Sequence, residues 1–261
     1  MMELFDLSGV RAVITGSSRG IGRAIANRMA QAGARVTISS RKAEACEAAA
    51  QAINTAHGAG RAMPVAANIS DRDSLERLVE TAMSAWQGID VLICNAATNP
   101  YYGPMSGISD EQFRKIFDTN VLANHWLISL VAPQMRARRD GAITIISSIG
   151  GLTGSAGIGA YNISKAADMQ MARNLAVEFG RDNVRVNCIA PGLIQTDFSR
   201  ALWTDPAVLK AYEAKTPLGR LGLADEIAGA AIFLSARAGG FVTGQTIVVD
   251  GGVTIAGVTG G

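Results

Sequence analysis

The chain has 261 residues, enough for one substantial core, and its 24 Lys and Arg against 22 Asp and Glu leave a formal net charge of +2. The basic residues are scattered, which excludes a nucleic-acid-binding stripe, and the charge-free run at 119–135 is too short, and too interrupted by Asn120, Asn124, His125, Pro133 and Gln134, to span a membrane. A composition with 48% hydrophobic residues, 5% aromatic residues and 29 glycines suits a parallel sheet of Val and Ile wrapped by Ala-rich helices.

Residues 10–15 read as a buried strand and run into T-G-S-S-R-G-I-G, Thr15 to Gly22, ahead of a helical pattern at 20–32. Glycines at 16, 20 and 22 permit a tight turn and a close approach of backbone to a phosphate, which the following helix N-terminus would stabilise. The spacing G-x-x-x-G-x-G departs from the G-x-G-x-x-G dinucleotide pattern, and alone it fits plain turn chemistry as well. A second strand at 35–39 leads into Ser39-Ser40-Arg41-Lys42. A free ribose 2′-hydroxyl is usually met here by a carboxylate, whereas a 2′-phosphate calls for cations. No carboxylate is present, and Arg19 adds a cation inside the glycine loop. Arg41 and Lys42 also oppose the dipole of the next helix, 43–56, unless an anion lies nearby. NADP(H) is therefore favoured over NAD(H), with Arg19, Ser40 and Arg41 at the phosphates.

A strand at 62–67, a helix at 71–86 with Ser70 and Asp71 as caps, and a strand at 89–94 continue the alternation. After a loop at 96–109, a helix at 110–136 is apolar on more than one face, so it needs burial against the sheet and against a second subunit. Arg136, Arg138 and Arg139 at its end read as a solvated cluster. Then come a β-branched strand at 142–146, a glycine-rich loop, a helix at 160–179, a strand at 184–189, short helices within 196–215, a helix at 224–235 and a strand at 246–249. Repeated β-α units predict an α/β fold: one Rossmann-like domain over 1–261, a doubly wound parallel sheet with helices on both faces. Ligands bind such sheets beyond the carboxyl ends of the strands. Cys46, Cys94 and Cys188 share no metal-ligand spacing and read as free thiols of a cytoplasmic protein. His57 and His125, without a carboxylate or Cys at ligand spacing, read as structural.

The chemistry concentrates around residues 142–165. Ser147 and Ser148 stand where a strand ends, and Tyr161 and Lys165 are four apart on one face of the next helix. A phenol with a pKa of about 10 exchanges protons poorly near neutrality, and an ammonium one turn away is expected to lower that value. Tyr161 can then act as general acid and base, with the Ser148 hydroxyl holding the reacting oxygen.

Taken in order, Thr15–Gly22, Asn95-Ala96-Ala97, Asn120, Ser148, Tyr161 with Lys165, and Pro191-Gly192 with Thr196 resemble the short-chain dehydrogenase/reductase family over nearly the whole chain. N-A-A-T-N-P-Y-Y-G at 95–103 and A-P-G-L-I-Q-T-D-F-S-R-A-L-W at 190–203 resemble in particular its NADPH-dependent carbonyl reductase branch, which acts on ketones, aldehydes and retinal-like compounds. The resemblance implies that Tyr161 protonates a carbonyl oxygen while Lys165 lowers its pKa and binds the nicotinamide ribose. Ser148 would hold the substrate oxygen, and Asn120 would anchor a water that relays protons through Lys165. The cofactor would lie against Gly16, Ser18, Arg19, Gly20, Ile21, Gly22, Ser40, Arg41, Asn68, Ile69, Asn95, Ala96, Ala97, Tyr161, Lys165, Pro191, Gly192, Ile194 and Thr196. Gly is usual in the family at Ala97, and Asp is frequent at Asn68. A homotetramer or homodimer built on the long helix and the Tyr161 helix is implied as well. Tyr101, Tyr102, Leu193, Phe198, Leu202 and Trp203, several of them in a substrate-loop region at 193–216, would suit an apolar small-molecule carbonyl or alcohol, although Arg200 could meet an acidic one. A sugar, sugar acid or 3-oxoacyl thioester remains the alternative substrate, and a non-catalytic nucleotide-binding regulator the alternative of another class.

Overall fold

Short runs rich in Val, Ile and Ala, most of them buried on both faces, pair into one parallel sheet in the computed structural model, which describes residues 2–256. The strands are β1 (Arg11–Thr15), β2 (Arg35–Ser39), β3 (Ala62–Pro64), β4 (Val91–Cys94), β5 (Gly141–Ile146), β6 (Val184–Pro191) and β7 (Thr246–Val249). Between them run α1 (Gly20–Gln31), α2 (Ala43–His57), α3 (Arg72–Trp86), α4 (Asp110–Phe117), α5 (Ala123–Arg138), α6 (Gly159–Phe179), α7 (Arg200–Trp203), α8 (Pro206–Lys215) and α9 (Ala224–Ser235). The order β3-β2-β1-β4-β5-β6-β7 reverses direction between β1 and β4, so a crevice opens there beyond the carboxyl ends of the strands.

Side chains alternate across each strand, and two cores result. Ala12, Ile14 and Ile146 face a layer with Ile25 and Met29 of α1, Ile53 of α2 and Ile227 of α9. Val13, Ile143 and Ile145 face the other layer, with Leu78 of α3, Leu127 and Val131 of α5 and Met169 of α6. Among the described residues no helix is long and apolar enough to cross a membrane.

The element boundaries follow the hydrophobic pattern to within a few residues, and four expectations are corrected. β3 ends at Pro64 rather than reaching residue 67, because proline lacks the ladder donor, although Val65 N and Ala67 N still donate to Ile38 and Ser40 carbonyls at 2.9 and 3.0 Å. The helix expected at 110–136 is broken by a π-turn at Asp118–Leu122, and the extra residue in that turn lies where Thr119 and Asn120 are buried. Asp71 precedes α3 but makes no capping bond, and the Ser70 hydroxyl instead pairs with Thr119 Oγ1 at 3.2 Å. Finally, Arg136 pairs with Asp182 at 2.6 Å and Arg138 with Asp90 at 3.0 Å, so this helix end is braced by ion pairs rather than merely solvated.

Asp90 fixes the start of β1 against β4. Its Oδ2 accepts from Arg11 N at 2.9 Å and Nε at 2.7 Å, and its Oδ1 accepts from Arg11 Nη2 at 2.6 Å. Burial pushes the Asp90 carboxyl up, but the hydrogen bonds and charge of Arg11, with Arg138, more than reverse this and hold it below the usual carboxylate range. A carboxyl depressed in the folded state stabilises above its unfolded pKa and loses that contribution as pH falls through the folded value. Asp90→Asn is therefore expected to cost about 2 kcal/mol near neutrality. In urea denaturation the gap between variant and wild type should narrow as pH falls from the ordinary carboxylate range through the depressed folded value, and a gap independent of pH would remove the ion pairs as its cause.

Candidate active site

The glycine loop is tied to the strand ends on both sides. Thr15 Oγ1 accepts from Asn95 N at 3.1 Å and Ala96 N at 3.2 Å, and Asn95 Nδ2 donates to the Thr15 and Gly16 carbonyls at 2.9 and 3.1 Å. Ser17 Oγ donates to the Ile14 carbonyl at 2.6 Å and accepts from Ser39 N at 2.9 Å, which joins the loop to β2. Gly16 takes φ +65°, and a Cβ on Gly22 would stand 2.5 Å from the Gly16 carbonyl oxygen, so both positions require glycine. Asn95 and Ala96 are thus braces of this turn.

Several features of this groove fit a dinucleotide. Arg19, extended just ahead of α1, makes no side-chain cap, which leaves the first amides of α1 open to an anion. Arg19 and Arg41 are exposed, with no acidic partner among the described residues, and Ser40 is half-buried beside them. Across the groove a Cβ on Gly20 would approach Thr196 to 3.6 Å, and Gly192 N donates to the Val249 carbonyl at 2.9 Å, fixing the turn after Pro191. Ile194 is buried behind it. Asn68 is exposed and Ile69 half-buried at the rim, where Asn68 Oδ1 accepts from Ser70 N at 3.2 Å; Ala97, Ser18 and Ile21 are half-buried along the groove.

The second cluster is built on the end of β5. Ser147 Oγ donates to the Lys165 carbonyl at 2.7 Å and locks α6 against the strand. Ser148 Oγ accepts from Gly150 N at 3.1 Å, and its hydroxyl faces the phenol of the half-buried Tyr161. Lys165 is 1% exposed; its Nζ donates to the Ile146 carbonyl at 2.9 Å and to Asp168 Oδ2 at 3.0 Å, and lies 5.7 Å from the Tyr161 ring centroid. Burial disfavours the ammonium, but Asp168 and then Tyr161 outweigh it and hold Lys165 above its usual range. For Tyr161 the net effect is opposite to that expected from spacing. Burial raises the phenol, and the pull of Lys165 and Ser148 in the other direction does not overcome it.

Asn120 is fully buried on the π-turn, and its side chain is committed: Oδ1 accepts from Thr98 N at 2.8 Å, and Nδ2 donates to the Thr98 carbonyl and Ser164 Oγ, both at 3.0 Å. Its main-chain carbonyl accepts from Asn124 Nδ2 at 2.6 Å. Asp168, Asn124 and Ser164 were not singled out from sequence. The available signal was polar residues spaced three and four apart, Lys165 with Asp168 and Asn120 with Asn124.

The aromatic residues expected around a substrate divide into two groups. Tyr102 and Phe198 are 58% and 55% exposed, and the Phe198 ring lies 6.5 Å from that of Tyr161. Leu152 and Leu202 are exposed as well. Tyr101 and Trp203 instead hold loops, donating to the Pro104 and Thr196 carbonyls at 2.9 and 3.1 Å. Leu193 N donates to the Tyr212 hydroxyl at 2.7 Å.

Asn120→Ala would orphan the Thr98 main chain and the buried Ser164 hydroxyl, with an expected loss of about 2 kcal/mol or more in urea denaturation. A loss below about 0.5 kcal/mol would show that this side chain does not hold the loop after β4.

The family profile described as enoyl-(acyl carrier protein) reductase matches residues 16–254. The cattle (Bos taurus) protein dehydrogenase/reductase SDR family member 4 is 42% identical over 242 residues, 92% of this chain and 86% of its own length. A gluconate 5-dehydrogenase from Burkholderia cenocepacia, solved with NADP and tartrate, superimposes with a TM-score of 0.93 at 31% identity, covering 98% of this chain and 99% of its own. A 7α-hydroxysteroid dehydrogenase solved with NADH and 7-oxo glycochenodeoxycholic acid gives 0.92 at 34% identity, covering 97% of both chains. With its glycine loop, its Tyr161 and Lys165 on α6 and these relatives along nearly its full length, the chain belongs to the short-chain dehydrogenase/reductase family.

Proposed function

We propose that the protein is an NADP(H)-dependent oxidoreductase of the carbonyl reductase branch that interconverts an alcohol and a ketone or aldehyde, with Tyr161 as general acid and base. The observation that carries this reading is the Ser148, Tyr161 and Lys165 cluster at the end of β5, on the same edge of the sheet as the glycine loop. A bound nicotinamide dinucleotide would supply or accept the hydride; the protein positions the reactants and handles the proton. Ser148 Oγ accepts from Gly150 N and its hydroxyl faces the Tyr161 phenol, which places it to donate to a carbonyl oxygen held beside that phenol. Tyr161, whose phenol burial pushes above its ordinary range, gives its proton to that oxygen in reduction and takes one back in oxidation. Asn120, buried beside this cluster, would anchor a water that replenishes the proton from bulk solvent through Lys165.

The exposed Arg19 and Arg41 support NADP(H) over NAD(H), because a 2′-phosphate supplies the anion that neither guanidinium finds among the described residues. Pro191, Gly192, Ile194 and Thr196 would flank the nicotinamide, and Asn68, Ile69 and Ala97 the adenosine side. At the mouth, exposed Tyr102, Phe198, Leu152 and Leu202 suit an apolar or aromatic carbonyl within a substrate loop at 193–216. Likeness to a gluconate 5-dehydrogenase and the exposed Arg200 favour a sugar acid as the second substrate class, and turnover of aryl ketones against gluconate and acetoacetyl thioesters separates them. We also infer a single catalytic unit that assembles as a homotetramer or homodimer, supported by exposed Leu122 beside α5 and exposed Ile163 and Val177 on α6. Three buried free thiols suit a cytoplasmic location.

Tyr161→Phe should bind NADPH nearly as the wild type does and lower kcat about a hundredfold or more. A loss of less than about tenfold, roughly 1.4 kcal/mol in the barrier, would refute the assigned role. Arg41→Ala should raise KM for NADPH about tenfold and leave that for NADH within about twofold, since one charge-assisted contact is lost. Equal effects on both would overturn the cofactor preference.

A further inference from the structure

A buried ammonium is costly unless it is paired and hydrogen-bonded. Lys165 finds its partner on its own helix, where Asp168 is 0% exposed and places Oδ2 3.0 Å from Nζ. The other carboxylate oxygen accepts from Asn124 Nδ2 at 3.1 Å. The orientation of that amide is set because the same nitrogen donates to the Asn120 carbonyl at 2.6 Å. Burial raises the Asp168 carboxyl while Lys165 and then Asn124 pull it back, and with both oxygens meeting donors the geometry is that of an ionised carboxylate.

We propose that Asp168 is a positioning residue for the proton-transfer step: its carboxylate pins the Lys165 ammonium to the Ile146 carbonyl and offsets part of its charge, and so governs how readily Tyr161 releases its proton. The proposal rests on the reading of Tyr161 as the acid and base.

The charges around Tyr161 are few. Lys165 and the Ser148 hydroxyl favour the phenolate, while Asp168 and, from the loop after β4, Tyr102 oppose it. Cys94 of β4 and Cys188 of β6 face the same pair, with Cys188 Sγ donating to the Asp168 carbonyl at 3.4 Å. Burial raises both thiols far above neutrality, so they stay uncharged in the working range; Arg173 faces Cys188 from farther along α6. β5 contributes only the Ile146 carbonyl. Among the described residues Asp168 is thus the carboxylate that opposes Lys165 at this site. Without its charge the ammonium acts on the phenol undiminished, and Tyr161 ionises at lower pH. Alcohol oxidation, which needs the phenolate, would then begin at lower pH, and carbonyl reduction, which needs the phenol, would be lost earlier on the alkaline side.

The test titrates Tyr161 directly. Tyrosinate absorbance of Asp168→Asn and of wild type is recorded against pH, each minus its Tyr161→Phe counterpart, with no cofactor or substrate present. Folding is checked by circular dichroism, and Asp168→Leu provides a second removal of the charge. The expected result is a fall of about one unit in the apparent pKa of Tyr161 in both variants, with the acid limb of kcat/KM for alcohol oxidation moving the same way. An unmoved or raised titration in the folded variants, with rates scaled equally at every pH, would make Asp168 a core-filling group and overturn the proposal. Failure of both variants to fold would overturn it too, by assigning the carboxylate to stability. If Tyr161→Phe keeps its turnover, the acid and base reading fails and the role of Asp168 in proton transfer fails with it, while the absorbance titration still decides whether Asp168 governs the ionisation of the phenol. If Tyr161→Phe is inactive and Asp168→Asn leaves the titration unmoved, the role of Asp168 alone fails.

Discussion

The Lys165 ammonium sits out of water at the end of β5, 2.9 Å from the Ile146 carbonyl and 3.0 Å from Asp168. Such a group is tolerated only where the chain supplies both charge and hydrogen bonds, and that demand reaches well beyond the site. It requires β5 to end at Ile146, α6 to run back along it from Gly159, and the turn at Asp118–Leu122 to bring Asn120 and Asn124 inward. The phenol and the Ser148 hydroxyl are then presented in one place by two elements that the buried lysine holds together.

The sheet provides the rest by its topology. Because the strands are all parallel, the loops after β1, β4, β5 and β6 emerge on one edge, and the reversal of strand order between β1 and β4 opens the crevice there. Short side-chain bonds to main chain hold them there: Thr15 to Asn95, Ser17 to Ser39, Ser147 to Lys165 and Asn120 to Thr98. The two halves of the candidate site are therefore braced separately, the glycine loop by β4 and β2, the cluster of Ser148, Tyr161 and Lys165 by β5 and the π-turn. Function of the kind proposed needs both halves rigid, since hydride and proton must move within one fixed geometry.

Local pattern carried the fold. β-branched runs and helical periodicity put β2, α9 and β7 within their observed bounds, and the four-residue spacing of Tyr161 and Lys165 correctly placed them on one helix face. What was not legible depends on burial and on partners distant in sequence. The π-turn is silent in a periodicity that tolerates one extra residue. Asp168 reads as an ordinary polar position until its complete burial is seen, and Arg138 as a solvated cation until Asp90 is found across the sheet. The sign of the Tyr161 shift was misjudged for the same reason, because spacing shows the neighbouring charge and says nothing of the lost water.

The central claim is that a buried, protonated phenol steadied by Lys165 carries the proton, and the pH dependence of kcat/KM in both directions tests it most directly. Carbonyl reduction is expected to stay level across the neutral range and to fall only on the alkaline side, while alcohol oxidation rises along that same limb, since one group serves both. Two limbs at unrelated pH values, or a shared limb below neutrality, would contradict the account.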